Sequence, residues 1–149
     1  FIANKLKSYV FSDALCIALQ ILNHIQDCSD DFQSLDRIYI PSDMMNLHHT
    51  TEKDLFKKST TPNLRNCLNS ILDNVDQLIT KALALPTLLA SSRLGMETQI
   101  IISIAQRLSN KLRQSDPLES RIKLSGTSYA KCFLEGAVRY FIRTKQHEN

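Results

Sequence analysis

Asp27 and Asp31 stand four residues apart in the run Gln20-x-x-Asn23-x-x-Gln26-Asp27-Cys28-Ser29-Asp30-Asp31, which follows a long apolar stretch. At about 100° per residue, Gln20, Asn23, Asp27 and Asp31 fall within an arc of roughly 80° on a helix, so two carboxylates and two amides line one face. Helix stability asks for no such line. Like charges at i and i+4 repel by roughly 0.2–0.5 kcal/mol, and a carboxylate at a helix C-terminus opposes the negative end of the macrodipole. A divalent cation removes that conflict. Hard oxygen donors on a rigid helix suit Mg²⁺, which keeps several waters and shares its remaining positions with substrate phosphates. The alternative is a solvated aspartate cluster that ends the helix, with Ser29-Asp30 as turn residues.

The element that must carry this line runs over residues 10–25. Val10, Phe11, Ala14, Leu15, Ile17, Ala18, Leu19, Ile21, Leu22 and Ile25 place apolar side chains around most of its circumference, the pattern of a helix buried inside a helical protein. Beyond the aspartates, Pro41 opens a short turn-like helix, and Thr51 with Asp54 can cap another. Residues 59–62 read as a linker. From Leu64 through Cys67, Leu68, Ile71, Leu72, Val75, Leu78, Ile79 and Ala82 to Leu83 the spacing keeps one core-facing stripe, which Pro86 ends or kinks. A helix over residues 88–112 carries Ile100, Ile101, Ile102, Ile104 and Leu108, so burial on several faces is expected. Asp116-Pro117-Leu118-Glu119 has the form of an N-cap with Pro at the first position of a short helix. In the last helix Ala130, Phe133, Leu134, Ala137, Val138, Phe141 and Ile142 form the expected core face, and Arg139, Arg143 and Lys145 supply positive charge near its C-terminus.

Residues 18–27, followed by Asp31 and by Arg37-Ile38-Tyr39-Ile40-Pro41, resemble the second aspartate-rich motif of the squalene/phytoene synthase family. The Leu85-Pro86 break, the long helix with Arg93-Leu94 and the Lys123-Leu124-Ser125 segment continue the likeness more weakly. It covers most of this chain but only about the C-terminal half of a family member. The resemblance implies an all-α isoprenoid-synthase fold, with residues 1–149 forming one helical domain that is its C-terminal portion. It implies head-to-head condensation of prenyl diphosphates, with Mg²⁺ as cofactor. Carried over residue by residue, Asn23, Asp27 and Asp31 become metal and diphosphate ligands, with Asp27, Asp31 and Tyr39 in catalytic roles. Gln20, Asn23 and Arg37 become substrate-binding residues. Gln26-Asp27 and the Asp31-to-Arg37 spacing are closer to the bacterial branch that makes hydroxysqualene than to the phytoene branch.

One departure bears on activity. The family's first aspartate-rich motif is absent, and Asp73 and Asp76 fall on the polar face of an amphipathic helix, where solvated carboxylates are expected. The chain opens at Phe1, which leaves two expectations: a removed upstream half, or an inactive remnant that serves as a helical interaction module. Either way, uncovered apolar faces should lead to self-association or to a complementary N-terminal half as partner.

Composition fits a soluble helical module, and a cytoplasmic location is expected. Of 149 residues 43% are hydrophobic, with only three Gly and four Pro, enough chain to bury a core and little to break helices. The net charge of +3 is unclustered, which argues against nucleic acid. The apolar runs are too short to span a bilayer, although a lipid substrate leaves peripheral membrane contact open. Cys16, Cys28, Cys67 and Cys132 lack metal-ligand spacing, lie mostly on apolar faces and read as reduced core residues, and the adjacent His48 and His49 read as loop residues. No hydrolase or nucleotide-loop motif occurs.

Overall fold

A computed structural model describes residues 2–147, and the side chains of residues 8–142. Its elements are α1 (Ile2–Leu35), α2 (Ser42–Leu47), a 3₁₀ turn (Glu52–Phe56), α3 (Pro62–Ala82), α4 (Leu85–Leu88), α5 (Ser92–Gln114) and α6 (Gly126–His147). No strand occurs among the described residues. Nor is any helix among them long and apolar enough to cross a membrane.

The chain forms two compact units. One comprises Phe1–Leu19, Asp76–Arg107 and Leu124–Asn149, the other Gln20–Val75 and Leu108–Lys123. In the second unit α3 buries Leu64, Cys67, Leu68, Ile71, Leu72 and Val75, the stripe its spacing predicts. Thr61 receives the Leu64 N–H at 3.2 Å, so the expected linker is also the N-terminal cap of α3. The capping role of Asp54 holds as well. Its Oδ2 accepts from Thr51 N–H and from the Thr50 hydroxyl, each at 2.9 Å, and its Oδ1 from Lys57 at 2.6 Å. The Lys57 hydrogen bond, then the Thr51 N–H, holds the Asp54 carboxyl down at about 2.

The short helix expected after Asp116 does not form; residues 117–119 make a turn. Asp116 is instead drawn into a tertiary cluster. Its Oδ1 accepts the Leu118 N–H at 2.9 Å, and its Oδ2 takes the Thr60 N–H at 2.7 Å and the Thr60 hydroxyl at 2.9 Å. Burial pushes this carboxyl up, but those hydrogen bonds and the Arg65 charge outweigh it, leaving the group below its ordinary value. Arg65 in turn donates to the carbonyls of Leu112 and Ser115, at 3.1 and 3.0 Å, which satisfies acceptors that the end of α5 leaves open. Asp73 is not simply solvated: Arg113 lies 2.8 Å away.

In the first unit the faces of three helices depart from expectation. Tyr9, Val10 and Ile17 of α1 are about half exposed, so this part of the helix is not buried all round. On α6 the buried side chains are Cys132 and Tyr140, with Gly136 between them, whereas Phe133, Leu134, Val138, Phe141 and Ile142 face outward. Close approach explains the reversal. A Cβ at Gly136 would sit 2.8 Å from the Ile100 Cα, and one at Gly95 would sit 2.6 Å from the Pro86 carbonyl oxygen. Small residues, not bulky ones, let these backbones meet. The side chains of Arg143 and Lys145 lie outside the described residues. On α5, Thr98, Gln99, Ser103 and Ser109 are buried beside Ile102 and Ala105, while Ile101 is exposed, so burial follows one mixed face and not several apolar ones. Pro86 neither kinks α3 nor merely ends it; it lies in the first turn of α4.

Candidate functional site

Every site residue named from the sequence lies in the second unit: Gln20, Asn23, Asp27 and Asp31 on α1, and Arg37 and Tyr39 just after it. Gln20 and Asn23 are exposed, Asp27 and Asp31 half-buried. The aspartates do not end the helix. It continues to Leu35, because Phe32 is buried with its ring 4.4 Å from that of Phe56, and because Ser29 stays helical with its hydroxyl accepting from Gln33 at 3.0 Å. That overturns the reading of Ser29-Asp30 as turn residues. Asp36 makes the break, at a φ of 50° that Asp tolerates better than most residues, and the Arg37 N–H reaches back to the Asp31 carbonyl at 3.3 Å. The backbone of Arg37 is thereby set beside Asp31. Its side chain is exposed.

Sequence reasoning missed the cation at this site. Arg121 places Nε 2.6 Å from Asp27 Oδ1 and donates from Nη2 to Oδ2 at 3.0 Å. One residue on, the Gln26 amide donates to the Ile122 carbonyl. Two adjacent α1 side chains thus clamp a non-helical segment that lies 94 residues away along the chain. No periodicity could signal this contact, since residues 121–124 belong to no helix. The pair offsets the repulsion between Asp27 and Asp31 that the spacing creates. It does so incompletely: Asp27 Oδ1 is buried and accepts no aligned hydrogen bond despite the nearby Nε. Among the described residues, Asp31 makes no ion pair at all. Cys28, between the two aspartates in sequence, is pushed up to about 12 by burial, which leaves a neutral thiol unsuited to a hard cation.

Tyr39 goes elsewhere. Its ring stacks on His24 with centroids 3.9 Å apart and planes 14° from parallel, and both rings border a cavity that Ile21 and Ile25 also line. On α1 those two isoleucines lie on a different flank from Asn23 and Asp27.

The donor set fits half of a magnesium site. Among the described residues no three His, Cys, Asp or Glu side chains converge as a complete protein cage would require. Mg²⁺ needs no such cage, since one or two carboxylates, waters and phosphate oxygens complete its octahedron. Asp27 and Asp31 at i and i+4, an amide at Asn23, and a buried carboxylate oxygen lacking an aligned donor are donors of that kind.

Helices throughout, with a carboxylate line on one of them and an arginine paired to it, define an all-α protein. The family profile described as squalene/phytoene synthase matches residues 4–128, and this chain belongs to that family. Its fold is the family's all-helical one, only partly covered by these residues. Hydroxysqualene synthase of Rhodopseudomonas palustris is 35% identical over 113 residues, which is 76% of this chain and 39% of that protein. Proteins of the same name from Sinorhizobium fredii, 34% identical over 114 residues, and Zymomonas mobilis, 35% identical over 111, cover 76% and 74% of this chain and 39% and 37% of their own lengths. The chain therefore spans about two fifths of the curated relatives it matches. No solved structure gives a significant match.

Proposed function

We propose that this chain supplies the second aspartate-rich half of a head-to-head prenyl-diphosphate synthase site, acting on farnesyl or presqualene diphosphate on the way to a squalene-type product. One observation carries the reading: Asp27, on the same face as Asn23 and Asp31, is met by the Arg121 guanidinium at 2.6 Å. Such a pair can open toward a magnesium diphosphate, with carboxylate to cation and guanidinium to phosphate oxygens. When bound, Mg²⁺ would stabilise negative charge on the departing diphosphate. Asn23, Asp27 and Asp31 would hold it, Gln20 and Arg37 would line the diphosphate side, and Tyr39 would order the segment that follows. The protein would be cytoplasmic, with peripheral membrane contact through its lipid substrates.

Titration with Mg²⁺ and a non-ionising farnesyl thiodiphosphate tests the assignment. Binding should need both and should fall at least about tenfold when Asp27→Ala and Asp31→Ala are combined, the equivalent of 1.4 kcal/mol. Undiminished binding by the double variant would remove the site.

The second reading is a catalytically inactive helical interaction module, favoured by the outward apolar face of α6. Catalysis by this sequence alone lacks the other carboxylate pair. No condensation of farnesyl diphosphate is expected from the 149 residues, and activity should appear only with a complementary N-terminal fragment. Turnover by the monomeric chain alone would overturn the need for a partner, and inactivity of the mixture despite complex formation would favour the module.

A further inference from the structure

A second cavity-bearing flank of α1 is independent of the aspartates. This cavity is partly open to solvent and has a volume of about 190 Å³. Ile25, Ile40 and Ile71, all buried, line it together with Ile21, and no Asp, Glu, Lys or Arg does. The residues at its border that carry polar side-chain groups are His24, Tyr39 and the exposed Asn74. The volume bounds the ligand, since an enclosed apolar cavity of about 150 Å³ already accepts benzene. Branched aliphatic walls suit a ring or a branched chain of roughly six to ten non-hydrogen atoms. A charged head would pay desolvation with no countercharge in the lining, whereas a hydroxyl or carbonyl can be met by Tyr39, His24 or Asn74.

We propose that this cavity is a binding site for a small neutral amphiphile, with its apolar body against Ile21, Ile25, Ile40 and Ile71 and its uncharged polar head toward His24, Tyr39 and Asn74. The site needs neither magnesium nor diphosphate. Its fate is therefore separate from that of the aspartate site.

The test is methyl NMR of the full chain with labelled isoleucines, titrated with cyclohexanol in chelator. Saturable shifts are expected at Ile21, Ile25, Ile40 and Ile71, with the exposed Ile17, Ile101 and Ile142 unmoved. Cyclohexylammonium and cyclohexanecarboxylate, of the same shape but charged, should bind roughly tenfold more weakly or worse, the discrimination expected when a buried partner is missing. Ile21→Phe, which fills the cavity from a half-buried position, should weaken cyclohexanol by a similar factor. Absence of saturation in the unsubstituted protein, equal binding of the charged probes, or shifts spread over the exposed isoleucines would each overturn the proposal, whatever the variant does.

Discussion

Helices α3 and α6 are nearly equal in length, 21 and 22 residues, and each carries a clear apolar stripe, yet they use it in opposite ways. On α3 the stripe is the buried face. Its neighbours accept Leu and Ile side chains, so hydrophobic burial at about 25 cal/mol per Å² decides the orientation. On α6 the stripe looks outward, and the helix docks through Cys132, Gly136 and Tyr140. There the backbone comes so near Ile100 that no Cβ fits. Periodicity therefore identifies a face without saying what meets it.

Substitutions can break this contrast. The largest effect is expected at the centre of α3, where Leu72 is fully buried: Leu72→Ala should cost about 2–5 kcal/mol, read by denaturant unfolding. A cost under about 1 kcal/mol there would mean that the stripe is not packed as described. Next comes Gly136→Ala. Helix propensity favours Ala by about 1 kcal/mol, but overpacking costs about 1–3, and the Ile100 Cα cannot rotate away. A net loss of up to about 2 kcal/mol follows; a gain in melting temperature would show that α6 does not approach α5 so closely. The smallest effect on stability should come from Phe133→Ser with Leu134→Ser, within about 0.5 kcal/mol apiece because both are exposed. Sedimentation should reveal what they do change. If the outward face drives association, the double variant shifts the population toward monomer, and an unchanged distribution would show that this face is free of partners.

What the sequence made legible follows the same division. The helical fold, the α3 stripe, the Asp54 cap and the burial of Cys28, Cys67 and Cys132 could be read from spacing, since each depends on residues within a few turns of one another, whereas Cys16, expected in the core, is exposed. The aspartate face of α1 was legible for the same reason. Hidden were interactions that close over long separations or that turn on a backbone-to-backbone approach. Arg121 sits in a non-helical segment with no pattern to mark it. Asp116 has the residues of a helix start, yet Thr60 and Arg65 recruit it for a tertiary cluster. The extension of α1 to Leu35 hinges on Phe32 meeting Phe56, a ring contact that local turn propensity cannot anticipate.

The clamp of Gln26 and Asp27 on residues 121–122 also dates itself within folding. Closing a loop of the 94 residues between Asp27 and Arg121 costs roughly 4 kcal/mol in chain entropy, whereas a partly exposed ion pair returns about 1 kcal/mol or less. The pair cannot draw the segment in. Packing of α3, with the Arg65–Asp116 cluster holding the end of α5, must first bring residue 121 near α1. On a ribosome, Asp27 emerges long before its arginine is made, so the carboxylate line spends most of synthesis without this countercharge and acquires it among the last contacts of its unit.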